Sequence, residues 1–498
     1  MRVLALAGAL LVCWRILDAF VFSPLRRIPG PLAARLTPLR FIYARLPGRV
    51  IPAALQDFHA YGDIYISKPR TVTISNPYDV RTVLSASDFR KVDVYHGLND
   101  PVMANLVTFS EPTQASRRRR QIGPYFNPSY LAKMEPLILR NGIQALKAKW
   151  DRLLDEHGEC VEVNYRHDMQ LATFDIMSAL AFGRELDSLA SLKTQKVAIV
   201  DWISATAIYI GVSINFRLLL AFPFSRLIRR WLREYADFVQ FGKESVARRK
   251  EILTAGEDKP ADLLQAFIDA EDPESKVKMS AVEVQAESVG MQLAGSETTA
   301  ASLTWALHLL TLYPDCHRRA VDEVRGQFPA DHLITYAECN QLPFLEAFLY
   351  EMLRYTPITS SFMPRVASKG IALQGQWIPP GTEIAFNLIA MNNRGDVWDQ
   401  PERFIPERFL NNKDLKRSIL AFSYGGRSCI GRGLAWMEMM TILANILKDY
   451  DLSAPADSVY GPHNLDNDGI PRRMPSKCHI VFAPTDPDRD CRLVIRRH

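Results

Sequence analysis

The decapeptide Phe422-Ser423-Tyr424-Gly425-Gly426-Arg427-Ser428-Cys429-Ile430-Gly431 runs straight into a helical apolar periodicity that begins at about Arg432. A glycine-rich turn at a helix start leaves backbone N–H groups facing outward, and the helix dipole adds positive charge at the same place. Cys429 is therefore expected as a thiolate, which makes it a strong metal ligand. Glycines in the turn let the backbone approach a flat macrocycle, and Arg427 is placed to pair with an anionic substituent of such a ring. Taken alone, the loop also reads as a helix cap around a buried free cysteine.

The rest of the chain narrows the alternatives. Lys and Arg number 60 against 55 Asp and Glu, so global charge does not argue for nucleic acid, and 48% hydrophobic content rules out a disordered chain. The seven cysteines form no CxxC or CxC pair. This excludes a disulfide framework or zinc cluster and fits a reducing compartment. No HxxxH or HExxH pattern occurs, Gly431-Arg432-Gly433 lacks the third glycine of a dinucleotide fingerprint, and no GxxxxGK[ST] is present. With neither a flavin nor a nicotinamide site of its own, the chain is expected to take electrons from elsewhere.

Val3 to Trp14 is uninterruptedly apolar, and apolar character resumes to Phe22 around Arg15 and Asp18. Residues 1–23 are expected as an uncleaved membrane anchor helix, with Arg26 and Arg27 keeping the following chain cytosolic. The short strict core behind Arg2 leaves a cleaved signal peptide as the competing reading. Residues 24–31, closed by Pro29-Gly30-Pro31, are expected to end the anchor and act as a stiff hinge. In the body, 32–498, Ile64–Ser67 and Thr71–Ser75 read as a hairpin around Lys68-Pro69-Arg70. Helical periodicity follows at about 130–156, 168–182, 194–212, 226–253, 280–312, 314–327, 343–355 and 432–449. Short strands lie between 362 and 390, and 396–428 is irregular. The fold class expected is mainly α with a small β subdomain.

The decapeptide matches the haem-ligand signature of the cytochrome P-450 family, Phe-x-x-Gly-x-Arg-x-Cys-x-Gly, at every specified position. Three more motifs resemble that family in the right order. Ala294-Gly295-Ser296-Glu297-Thr298-Thr299 is similar to its oxygen-activation motif, Glu351-Met352-Leu353-Arg354 to its Glu-x-x-Arg, and Pro401–Phe409 to its meander. The resemblance extends over most of residues 31–485, and its overall look is that of fungal membrane-anchored members of specialised metabolism.

The resemblance implies a cytochrome P-450-like fold holding haem b (iron protoporphyrin IX). Cys429 would be the axial ligand, with Phe422, Gly425, Arg427 and Gly431 around the cofactor. It implies a haem-thiolate monooxygenase that inserts one atom of O2 into a lipophilic small molecule by hydroxylation or epoxidation. NADPH would be used indirectly, through a flavoprotein reductase, at the endoplasmic reticulum membrane with the catalytic domain facing the cytosol. Glu351, Arg354 and Arg408 are expected as a buried network. Thr298 is expected to return a hydrogen bond to the carbonyl of Ala294, opening a groove beside Gly295, and to deliver protons together with Glu297. Arg119 and Arg365 are the expected propionate contacts. Four places before Arg119, where the family carries an aromatic residue or His, stands Ala115. The other arginines of Arg117–Arg120, with Arg432, are expected to face an acidic redox partner. By family position the substrate chamber is lined from Tyr95 to Phe109, Asp201 to Phe224, Gln285 to Ala294, Ile358 to Met363 and Gly469 to Arg472. A haem-thiolate isomerase or dehydratase, and a haem-binding sensor without turnover, are the alternatives; retention of Thr298 and Glu297 argues against both.

Overall fold

The computed structural model describes residues 2–92, 104–190, 201–202, 205–206, 208–209, 212–213, 217–361, 364–478 and 481–498. Helix α1 (Arg2–Leu17) passes into a π-helical turn, Asp18–Phe22. Sixteen residues span about 24 Å at helical rise, and among the described residues no helix is long and apolar enough to cross a membrane. The helical segment ends at Phe22, and residues 24–31 lie against the chain that follows. The N–H of Ile66 donates to the Pro29 carbonyl at 2.8 Å, and a Cβ on Gly30, at φ +151°, would lie 2.7 Å from the Ile66 carbonyl oxygen. Leu25 and Ile28 are buried in the core of the adjoining sheet.

That sheet contains β1 (Ile64–Lys68), β2 (Thr71–Ile74), β3 (Arg90–Lys91), β4 (Arg365–Val366) and β5 (Glu383–Phe386), in the order β1-β2-β5-β4-β3. The β1–β2 hairpin turns where expected, with Arg70 at positive φ. β2 and β5 run parallel; the other pairs are antiparallel. The helical body includes α2 (Pro112–Ile122), α3 (Tyr165–Phe182), α4 (Ala281–Leu312), α5 (Pro343–Tyr355) and α6 (Arg432–Asp449). These helices agree with the periodicity wherever it was read. The expected helix 130–156 is realised as 128–157, passing through a π-helical turn at 140–144. The expected helix 194–212 lies largely outside the described residues.

The central helix α4 starts at a capping box. Ser280 Oγ accepts from the N–H of Glu283, and the Glu283 carboxylate accepts from the N–H of Ser280. Most of its surface is buried, as its apolar composition demands. It lies close against α3: Thr173 Oγ1 donates to the Ser296 carbonyl at 3.0 Å, and a Cβ on Gly295 would lie 2.6 Å from Met177 Sδ. Gly295 thus permits the close approach of α3 and α4. Ala294 is exposed in mid-helix between buried Gln292 and Ser296.

Candidate active site

In the turn before α6, the N–H of Cys429 donates to the Phe422 carbonyl at 2.8 Å. Gly425 sits at φ +71°, and a Cβ there would come within 2.4 Å of the Leu84 carbonyl oxygen. The requirement for glycine therefore comes from the turn pressing on the helix Pro77–Ser85. Gly431 is the N-cap residue of α6, and its Cβ would meet Cys429 Sγ only at an ordinary 4.0 Å. The Cys429 side chain is accessible. Burial pushes its thiol up; the Gly431 N–H and the charges of Arg119 and Arg432 pull the other way. The helix start alone does not yield the expected thiolate; a metal cation on the sulfur would favour it.

Cations crowd this turn. Arg119, on α2, donates to Ser428 O at 2.7 Å and Ser428 Oγ at 3.2 Å. Arg427 donates to the carbonyls of Phe109, Ser110 and Glu111 at 3.0–3.1 Å. Burial and then the charge of Arg119 pull its guanidinium down to about 10. Arg365 is buried on β4, with Lys91 opposite it on β3. One soft sulfur beside several cations suits an iron porphyrin with two carboxylates. Among the described residues no three His, Cys, Asp or Glu side chains gather as a metal site.

The expectation that the other arginines of Arg117–Arg120 face a partner is corrected. Arg118 is 1% exposed and donates to Glu287 at 2.7 Å, Glu283 at 2.6 Å and Gln121 at 3.0 Å. Arg120 forks onto Asp272 at 2.9 and 3.1 Å. Only Arg117 stays exposed at the surface.

Thr298 Oγ1 donates to the Ala294 carbonyl at 2.7 Å, the bond its spacing predicts. The Glu297 carboxylate turns toward α3, where Arg166 and Gln170 donate to it. Sequence reasoning singled out neither partner, since nothing local marks a contact between α3 and α4.

The Glu-x-x-Arg pair is fully buried, at 0% exposure for both residues. Arg354 donates through Nε and one terminal nitrogen to the two oxygens of Glu351, each at 2.7 Å. Its other bonds go to the carbonyls of Asn392, Pro401 and Arg403. Glu351 Oε1 also accepts from the N–H of Ile405 at 2.8 Å and Nε of Arg408 at 3.3 Å. All five guanidinium donors of Arg354 are thus used. The network ties α5 to residues 392–408.

Comparison with known proteins agrees with this architecture. A Cytochrome P-450 family model matches residues 53–470. The chain is 74% identical to cytochrome P-450 monooxygenase helB2 of Aspergillus fumigatus, over 99% of this chain and 98% of the relative. It is 49% identical to helB1 of the same organism, over 97% and 84% of the two chains. The crystal structure of a cytochrome P-450 (CYP102L1) superposes with a TM-score of 0.77 at 19% identity, covering 94% of this chain and 98% of that one. The family brings haem iron, dioxygen, a small-molecule substrate and a redox partner. The chain belongs to the cytochrome P-450 family, as one of its monooxygenases.

Proposed function

We propose that this monooxygenase hydroxylates or epoxidises a lipophilic small molecule in fungal secondary metabolism, with NADPH electrons delivered by a flavoprotein reductase. The observation that carries the haem-thiolate reading is an accessible Cys429 at the start of α6, with the charges of Arg119 and Arg432 acting on it and Arg427 two residues before it. When bound, haem supplies the oxygen-activating chemistry. Cys429 would hold the iron, Phe422 and Gly431 would brace the sulfur's turn, and Arg119, Arg365 and Arg427 would hold the propionates. Ala294 and Thr298 line the substrate side. Thr298 would hold a proton at Oγ1, and Glu297, whose carboxylate Arg166 and Gln170 hold in place, would supply protons to it.

A surface groove of about 720 Å³ beside the cysteine turn supports docking of an acidic reductase, because Arg81, Lys413, Lys416, Arg417 and Arg432 line it against one acid, Asp414. Exposed Leu6, Leu10, Val12, Trp14 and Ile16 on α1 support attachment of residues 1–23 to the endoplasmic reticulum membrane, with the body in the cytosol.

The test supplies purified protein with a reductase, NADPH and the lipophilic extract of a strain lacking this gene. Dioxygen uptake is expected in step with a new oxygenated product. Product formed without uptake would mean isomerisation or dehydration. Thr298→Ala is expected to keep its haem but make at least about tenfold less product per NADPH, with peroxide released instead. Unchanged coupling would move the proton-delivery role to another residue.

A further inference from the structure

Ala286, Gly290, Ala294 and Thr298 stand four apart on α4, so they form one stripe along the helix. The stripe is covered at Ala286, which is fully buried, and open at Ala294, which is exposed. Asn105 lies over the covered part. Its Nδ2 donates to the Ala286 carbonyl at 3.4 Å, and a Cβ on Gly290 would lie 2.5 Å from the same nitrogen. A methyl group at 290 would therefore push the amide off its seat. Asn105 Oδ1 meanwhile accepts from the N–H groups of Val107 and Thr108 at 3.0 and 3.2 Å, which folds 105–108 into a turn.

A second grip holds the same turn. Glu287 and Arg118 are both buried, and Glu287 Oε1 accepts from the Leu106 N–H at 2.9 Å and from Arg118 at 2.7 Å. At its far end the segment is tied to the cysteine turn, where Arg427 takes the carbonyls of Phe109, Ser110 and Glu111. Charge-assisted hydrogen bonds withdrawn from water are strong, so the turn has a fixed place before any substrate arrives.

We propose that Asn105 and Glu287 are positioning residues that hold the turn 105–108 across α4 as the end wall of the substrate space, one helical turn from Ala294. The wall limits how far a lipophilic molecule extends along α4 and so selects which of its carbons lies beside Thr298. The proposal rests on the reading that Ala294 and Thr298 line the substrate side, and its test separates the two.

Purified holoenzymes are titrated with 1-alkylimidazoles from butyl to dodecyl. The ring nitrogen binds the iron and shifts its visible absorption, so the alkyl chain measures the free length of the space. Wild-type affinity is expected to rise about fourfold per added CH2 until the chain meets the turn, and then to stop rising. Asn105→Ala and Gly290→Ala both unseat the amide. Each is expected to let the rise continue for about two more CH2 groups, roughly tenfold in affinity for the longest chains, while butylimidazole binds as in wild type. Combined, they are expected to do no more than either alone, because they remove one contact. Glu287→Ala is expected to move the limit likewise, and Glu287→Gln, which keeps an acceptor for the Leu106 N–H, to hold it. An unmoved limit in Asn105→Ala, or equal weakening at every chain length, overturns the wall. Should that variant fail to accumulate as holoenzyme, Asn105→Asp carries the test. It keeps the acceptor for Val107 and Thr108 but sets a carboxylate oxygen against the Ala286 carbonyl, so its limit moves if the seat on α4 holds the wall, and an unmoved limit overturns it. Ala294→Phe fills the space itself and is expected to weaken every imidazole; if it weakens none, the underlying reading of the substrate side fails instead.

Discussion

Arg354→Ala is expected to destabilise the protein by about 3–5 kcal/mol and to leave little haem-loaded material. The reason is the accounting of one guanidinium. Its five donors serve both oxygens of Glu351 and the carbonyls of Asn392, Pro401 and Arg403. Removing it strands a fully buried carboxylate with only the Ile405 N–H and a longer Arg408 contact. It also takes the guanidinium donor away from the carbonyls of Asn392, Pro401 and Arg403. Against a typical total stability of about 5–15 kcal/mol, such a loss is decisive. Arg354→Lys is expected to rescue little, because an ammonium has three donors and no planar fork. Urea unfolding and haem content per chain measure the effect. Wild-type stability in Arg354→Ala would show that the network carries none of the fold.

Cys429→Ala is expected to abolish monooxygenase turnover and the thiolate-type spectrum of the reduced carbonyl complex while leaving the protein folded. Folding survives because α6 keeps its N-cap at Gly431 and its buried apolar faces, and the side chain removed is small. The chemistry does not survive, because no other cysteine shares this turn. A mild thermal shift accompanied by loss of that spectrum separates the ligand from a packing residue. Survival of the spectrum in Cys429→Ala would refute the assignment.

Most of the helical frame was legible in the chain. α4 announces itself through Ser280 and Glu283 at capping spacing and a long apolar run, and α5 opens at Pro343. The cysteine turn and the Glu-x-x-Arg pair lie in continuous sequence, so local pattern suffices to find them. What stays hidden in the chain depends on distant contacts. The groove expected beside Gly295 and the macrocycle expected beside Gly425 say nothing of the side that packs. What their missing Cβ atoms would meet is Met177 and Leu84, and no local pattern reports that. The run Arg117–Arg120 looked like one charged face, but successive helical residues lie about 100° apart, so its members point at Glu283 and Glu287, Ser428 and Asp272 in turn. The Lys91–Arg365 ladder and the Arg166–Glu297 pair were invisible for the same reason. A two-residue strand has no periodicity, and its partner lies most of the chain away. Helices Val50–Tyr61 and Pro77–Ser85 also escaped reading. So did the sheet of Cys160–Asn164, Tyr450–Ser453 and Arg492–Arg497, whose pairing is set by closure between remote segments.

Iron X-ray absorption of the purified haem-loaded protein probes the Cys429 bond most directly. A single sulfur scatterer bound to the iron, present in wild type and lost in Cys429→Ala, is the predicted result. Full haem occupancy with only nitrogen and oxygen neighbours at the iron would contradict the assignment.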